Sequence, residues 1–454
     1  MKSKRLLVIS RAVFTLTAIT GMLLSGCAGT PQGGGTEATT TGTLTRAPKE
    51  SVLMEGVSPS SRLIASPDLR RVARIAREGN KEFVVIDGKE GKRYDNIFDV
   101  VFSPDGKRLA YMARLGERDS VVFDGQEGKQ YDGPQFLTFS PDSKHFAYAA
   151  RAGSSSFMVL DGQEGKQYDQ VGIPTFSPDG KHLAYQAQAG DRGFVVLDDV
   201  EGKQYDGVGF LAFSPDGKHL AYAARIGDTY SMVVDVEEGK QHGGDMLFPT
   251  FSPDSRRLAY IVGTHTPSTK WFVVLDGKEG KEYPIDSLDM TMLLSRLVFS
   301  PDSRRFAYCG RTTDGWLVVV DGEESGYVNS PLFLVFSPDN KHFAYNAPVG
   351  DNKWSAVVDG KEGEHYASVG SPAFSPDSRH AAYAAGTREQ EGVYGPKSLV
   401  VVDGVEGKRY QSVAEWIGSP LEVVHRGVVF DTANRFHYIA VEGDKVYLVE
   451  EELR

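Results

Sequence analysis

One ten-residue phrase, FSPDGKRLAY at residues 102–111, returns at 139–148, 176–185, 213–222, 251–260, 299–308, 336–345 and 374–383. A weaker copy surrounds Ser66, Pro67 and Asp68, and a decayed one spans residues 430–438. The phrase aspartates at 68, 105, 142, 179, 216, 254, 302, 339 and 377 are spaced by 37, 37, 37, 37, 38, 48, 37 and 38 residues. A period this regular restricts the chain to an architecture of stacked or ring-arranged units, each too small to bury its own apolar face.

Each period also holds a second phrase, a run of Val, Ile and Leu followed by DGxEGKxY, as at 84–94, 121–131, 159–168 and 400–410. Four short apolar runs per period, bounded by Pro, Asp and Gly, read as four β-strands, a to d. In the second unit these are residues 100–103, 108–113, 120–123 and the neighbourhood of Tyr131. SPDG between a and b, and DGxEG between c and d, carry turn chemistry: Pro presets φ, Asp bonds back to the backbone, and Gly takes positive φ. The 50 glycines among 454 residues fit that many turns. No window repeats at helical spacing with comparable strength, so the expected body is all-β.

Four-stranded units of about 40 residues repeated around an axis make a β-propeller. The phrase FSPDGKxLAY resembles the repeat of TolB-type, WD-repeat-like propellers over residues 50–454. The resemblance implies the repeat family, not TolB itself, which carries an α/β domain as well. About ten repeats form either one large ring or two smaller ones. The even spacing of the first five units favours one ring, and so do the termini. The last unit offers strands at 427–431, 435–441 and 445–450 and then stops, while an unpaired apolar stretch at 51–56 precedes the first unit and can supply the missing d strand. Such a closure leaves no free sheet edge.

Residues 1–11 carry Lys2, Lys4, Arg5 and Arg11, and residues 12–26 are mostly apolar, which is the layout of a signal peptide. The stretch ends in LSGC and resembles the lipobox of bacterial lipoproteins; the resemblance implies cleavage before Cys27 and lipidation of that cysteine. Ala28 follows, so the aspartate that in the family often retains lipoproteins at the inner membrane is absent. That favours an outer-membrane anchor, facing the periplasm or the cell surface, in a cell with two membranes. Residues 28–49 are rich in Gly, Thr and Ala and poor in large apolar side chains, as expected of a flexible tether.

Removing residues 1–27 takes away four of the 50 basic residues and none of the 61 acidic ones, so the net charge passes from −11 to −15. A surface this acidic argues against nucleic acid, which needs clustered Lys and Arg. Cys27 and Cys309 are the two cysteines, which excludes a disulfide within the body and a Cys-based zinc site. His145, His182, His219, His342 and His380 share one repeat position, but Arg108, Arg257 and Arg305 fill it in other units. A slot that accepts arginine calls for a polar residue opening strand b, not for a metal ligand. The Asp and Glu of DGxEG read as hairpin chemistry, and the ligand spacing of a calcium loop is absent. Cys309 aligns with Met112, Ala149 and Ile261 and reads as a buried small hydrophobe. The recurring tyrosines read as packing between units, and no GxSxG elbow accompanies the repeats. No cofactor or metal is expected.

The repetition breaks at residues 263–270, 284–295, 387–398 and 411–425. All four breaks are b–c or d–a connections, which in an up-and-down blade emerge on one face. They bring Met290, Met292, Leu293, Leu294, Tyr394, Trp416 and Ile417, apolar residues that suit an adaptable protein surface. The alternative is that these side chains plug the ring. The functional expectation is therefore a monomeric, lipid-anchored, non-catalytic cell-envelope propeller that binds an envelope protein or polymer through that face. The alternative is an envelope enzyme or small-ligand binder with its site in the central channel.

Overall fold

The computed structural model describes residues 46, 48–58, 61–264, 270–284, 297–325, 331–350, 353–387, 397–413 and 427–454. These form ten antiparallel sheets, and no helix occurs among the described residues. Blade 2 is typical, with strands Asn96–Phe102, Leu109–Leu115, Arg118–Phe123 and Gln126–Tyr131 hydrogen-bonded in that order. Strands a, b and c run two to four residues beyond the apolar runs seen in the sequence, at the end that carries the b–c and d–a connections, because the pairing continues there into polar residues.

The ten blades close into one ring. Each consecutive pair encloses its own buried cluster, from Tyr94 of blade 1 against Tyr111 of blade 2 through to Tyr410 of blade 9 against Tyr438 of blade 10. The tenth cluster joins the ends, with Met54, Ile439 and Val446 of blade 10 packed on Leu69 and Val72 of blade 1. Blade 10 borrows its outer strand from the beginning of the chain: Lys49–Glu55 pairs antiparallel with Lys445–Glu452, in the place expected for residues 51–56. First strands of neighbouring blades approach one another, whereas fourth strands diverge, so strand a of every blade faces the ring axis.

The SPDG phrase builds one turn nine times. The serine is buried in every copy; in blade 5, Ser214 Oγ donates to Asp216 Oδ1 at 2.6 Å and accepts the His219 N–H at 2.9 Å. Asp216 Oδ1 in turn accepts the Lys218 N–H, which closes the loop without water. The shared histidine slot pairs with the aspartate that opens the c–d turn, as in His145 with Asp161 at 2.7 Å; arginine does the same in Arg108 with Asp124 at 3.0 Å.

The glutamate of DGxEG has a role that hairpin chemistry does not cover. It reaches back to the preceding blade, where Glu164 receives Lys129 at 2.6 Å and the Tyr131 hydroxyl at 3.0 Å. The strap recurs at Glu201 and Glu324, and at the closure Glu50 takes the same place, bound by Lys408 at 2.6 Å and by the Tyr410 hydroxyl at 2.7 Å. The lysine and tyrosine bonds hold these carboxyls below their ordinary pKa. Between blades 8 and 9 the strap's lysine is replaced by Glu364, whose charge and that of Glu406 both act on Tyr366. There a buried amide bridges the seam instead, Asn346 Nδ2 donating to the Val369 carbonyl at 2.6 Å.

Candidate functional site: loop face and axial wall

In blades 1 to 5 the b–c connections are tight turns, and in blades 2 to 5 the d–a connection caps them. The Gly116 and Gly153 amides donate to Asp95 and Asp132 at 2.8 and 2.7 Å, and Gly190 and Gly227 repeat the bond with Asp169 and Asp206. Lys81 and Arg192 neutralise Asp95 and Asp206 at 2.7 and 2.6 Å. Short, saturated turns give this half of the face little to bind with.

The insertions leave from the other half. Lys270 is paired on one side with Thr264 and on the other with Pro284, so the insertions at 265–269 and 285–296 share one root. Thr387 pairs with Lys397, and Val413 with Ala440, at the roots of the other two. All four roots lie at b–c or d–a ends. Met290, Met292, Leu293, Leu294, Tyr394, Trp416 and Ile417 themselves lie outside the described residues, as does Cys27.

Trp271 fixes the first root. It is fully buried, stacks on Tyr283 at 4.7 Å between ring centroids, and donates from Nε1 to the Arg311 carbonyl of blade 7 at 2.6 Å. Trp316 and Trp354 stand in the same slot, five residues before the turn aspartate, and Tyr230 fills it in blade 5. Each opens or nearly opens strand c, and Tyr230, Trp316 and Trp354 are half-buried. An aromatic arc thus runs over blades 5 to 8 beside the insertion roots. Sequence reasoning passed over it, although three of the four tryptophans share one repeat slot, in which the other blades carry Glu82, Asp119, Ser156, Gly193 and Ser398.

A second surface lies on the axis. Strand a carries a bulge in blades 2, 3, 5, 6 and 8, where the register shifts. The first bulged residue takes a left-handed backbone: Asp99 (φ 50°), Phe136 (φ 60°), Phe210 (φ 50°), Phe248 (φ 55°) and Phe333 (φ 55°). A phenylalanine pays a steric penalty there, since its Cβ crowds the backbone. Threonines two residues on hold the conformation, Thr138 Oγ1 donating to the Phe136 carbonyl at 3.1 Å and Thr250 Oγ1 to that of Phe248 at 3.0 Å. The next residue, Val100, Leu137 or Leu211, is buried, while the bulged one is half exposed at the inner edge. The Phe210 and Phe248 rings meet edge to face at 5.3 Å across the blade 5–6 boundary. Asp99 sits at the equivalent place with no hydrogen bond to its carboxylate among the described residues; burial pushes its pKa up, and the charge of Arg62 opposes that.

Among the described residues no group of three His, Cys, Asp or Glu side chains could hold a metal ion. Cys309 is buried, its thiol aimed at the Pro331 carbonyl at 3.7 Å.

No family model matches the chain, and neither does any curated protein. Solved structures similar to it include TolB from Acinetobacter baumannii, at 16% identity and a TM-score of 0.27, covering 50% of this chain and 63% of that one. The match thus spans less than two thirds of that TolB chain. The Dos1 propeller is similar at 13% identity and a TM-score of 0.37, covering 66% and 92% of the two chains. The hydrazine synthase of Kuenenia stuttgartiensis follows at 14% and 0.30, covering 70% and 99%.

Proposed function

We propose that this propeller is a lipid-anchored, non-catalytic interaction scaffold of the cell envelope, monomeric and binding an envelope protein or polymer through its loop face. The observation that carries the reading is the aromatic arc of Tyr230, Trp316 and Trp354, half-buried and beside the insertion roots of the same half of the ring. Large amphipathic aromatics of this kind supply much of the binding energy in protein interfaces. The capped turns of blades 2 to 5 offer a partner little, which leaves recognition to the arc and the insertions. The LSGC sequence at residues 24–27 supports the anchor, and the 22 residues from 28 to 49 give it reach.

The test is crosslinking capture from intact cells with the wild type and with Trp316→Ala/Trp354→Ala, alongside a chain whose 284–295 and 411–425 insertions are cut to the usual turn. The reading requires one envelope component captured by the wild type and lost in both variants at unchanged melting temperature. Equal capture by all three overturns it. Cys27→Ala should move the protein from the membrane fraction to the soluble one.

A further inference from the structure

At the seam between blades 5 and 6 the ring departs from its own rule. The position two residues after the strap's lysine is tyrosine at 94, 131, 168, 205, 283 and 410, and in blade 5 it is His242. A tyrosine there stays neutral near neutral pH and donates its hydroxyl to the next blade's glutamate, as Tyr168 does to Glu201 at 2.9 Å. His242 keeps the place but not the bond. Its side chain is 8% exposed, its ring stands edge to face against Phe272 of blade 6 at 5.6 Å, and its Nε2 lies 3.7 Å from Glu279, beyond hydrogen-bond reach.

A charge on this imidazole works against the seam. Lys240, two residues earlier on the same strand, repels it, and Glu279, the carboxylate that attracts it, is already bound to Lys240 at 2.5 Å. The charged ring either stays unpaired between two blades or draws Glu279 away from the lysine and opens the strap. Tyr230 lies directly across the sheet from His242, and Asp245 and Arg225 act on that tyrosine; Tyr260 of blade 6, on which Glu279 also acts, completes the titratable surroundings. Burial, against the charge of Glu279 and together with that of Lys240, pushes the His242 pKa below its ordinary 6.5. A base lowered on folding gives its full contribution above the unfolded value and loses it as pH falls below 6.5.

The same seam carries the first insertion root. Gly243 links His242 to Gly244, which opens strand Gly244–Phe251 and pairs with Thr264. An added Cβ on Gly244 would collide with the Gly263 carbonyl, so the two backbones are in close contact there. Thr264 pairs in turn with Lys270, and Lys270 with Pro284. We propose that the blade 5–6 seam is an acid-sensitive joint under the loop face, in which protonation of His242 loosens blade 5 from blade 6 and slackens the Gly244–Thr264 pairing at the insertion root. What the joint regulates is the surface of the proposed function, and for that consequence alone it rests on that reading.

The experiment needs no partner. Hydrogen exchange is followed by mass spectrometry on the full-length protein between about pH 5 and pH 8, the range in which histidine titrates, and is corrected for the intrinsic rate. His242→Tyr restores the usual strap, and His242→Phe removes the titration without adding a hydroxyl. Segments 243–251 and 258–264 of the wild type should lose protection as pH falls below 6.5 and should keep it in both variants. The corresponding strands of blade 3, Gln135–Phe139 and Phe146–Ala152, should keep theirs in all three proteins. The melting temperatures of both variants should gain on the wild type over the same interval, since His145 and the other exposed histidines are common to all three. Unchanged protection in the wild type, an acid loss that persists in both variants, or a wild type that gains on the variants at low pH would each overturn the proposal. If the segments respond as expected while capture by the loop face fails at every pH, the proposed function falls and the joint stands.

Discussion

Arg46 and Glu451 are joined by two parallel hydrogen bonds, Nε to Oε2 at 2.7 Å and Nη2 to Oε1 at 3.0 Å, with their side chains 6% and 1% exposed. The same guanidinium donates to the Val400 carbonyl of blade 9 at 2.9 Å, and the Tyr438 hydroxyl donates to Glu451 at 2.7 Å. The start of the described chain is therefore bolted across the blade 9–10 boundary, just ahead of the strand that closes the ring. Glu451→Ala leaves a buried guanidinium without its carboxylate and should cost about 3–5 kcal/mol. The double change Arg46→Met/Glu451→Leu should cost much less. Urea denaturation of the three proteins measures both.

The turn serine should be among the most sensitive small residues. Ser214→Ala removes an acceptor of the His219 N–H and a donor to Asp216 at a buried position, so a loss of about 1–3 kcal/mol is expected. Lys129→Ala, on an exposed strap, should change stability by less than about 1 kcal/mol. Thermal melts that ranked the lysine above the serine would contradict this order.

Glu364 can be turned into a strap. It replaces the lysine that elsewhere binds the next blade's glutamate, and its own charge and that of Glu406 act on Tyr366. Glu364→Lys should raise the melting temperature slightly and more at low salt than at high salt, as an exposed pair does. A fall in melting temperature would show that the seam depends on the acidic residue.

Gly310 lies against the Trp271 ring, where an added Cβ would collide with the indole. Gly310→Ala should therefore cost about 1–3 kcal/mol through overpacking. Intrinsic tryptophan fluorescence should shift as Trp271 is displaced, which distinguishes this from a change elsewhere in blade 7.

Stability should be flat near neutrality and fall on both sides. The Ser214 hydroxyl, against the opposing effect of burial, holds Asp216 at about 2, below the ordinary 3.8. A carboxyl lowered on folding stabilises above its unfolded value, and that contribution is lost as pH falls from about 3.8 to about 2. Burial pushes Tyr185 up from 10.0 to about 12, with the charge of Asp199 adding to it, so its contribution is complete below pH 10 and is lost between 10 and about 12. Melting temperature against pH should show both limbs. Asp216→Asn should flatten part of the acid one.

The ring was legible in the sequence because its causes are local. SPDG closes a turn with its own serine and aspartate, as Ser214 and Asp216 do, and the 37-residue period announces the blades. Closure was legible too, since residues 51–56 lacked a partner and the last unit lacked a strand. The insertions stand out in the sequence as breaks in the period, while the aromatic slot of Trp271, Trp316 and Trp354 emerged only once the strand ends placed Trp271 beside a root and its counterparts in the next two blades.

What tertiary structure alone decided lies between blades and on the axis. Glu164 and Lys129 are 35 residues apart, and only the angle at which one blade meets the next brings them together. Phe136, Phe210 and Asp99 sit in apolar strands whose alternation would bury or expose them in turn, and it is the register shift against strand b that aims them at the axis. Turn chemistry is written within a few neighbouring residues and can be read there. Bulges and straps depend on which strand lies alongside, and that is set by closing the whole ring.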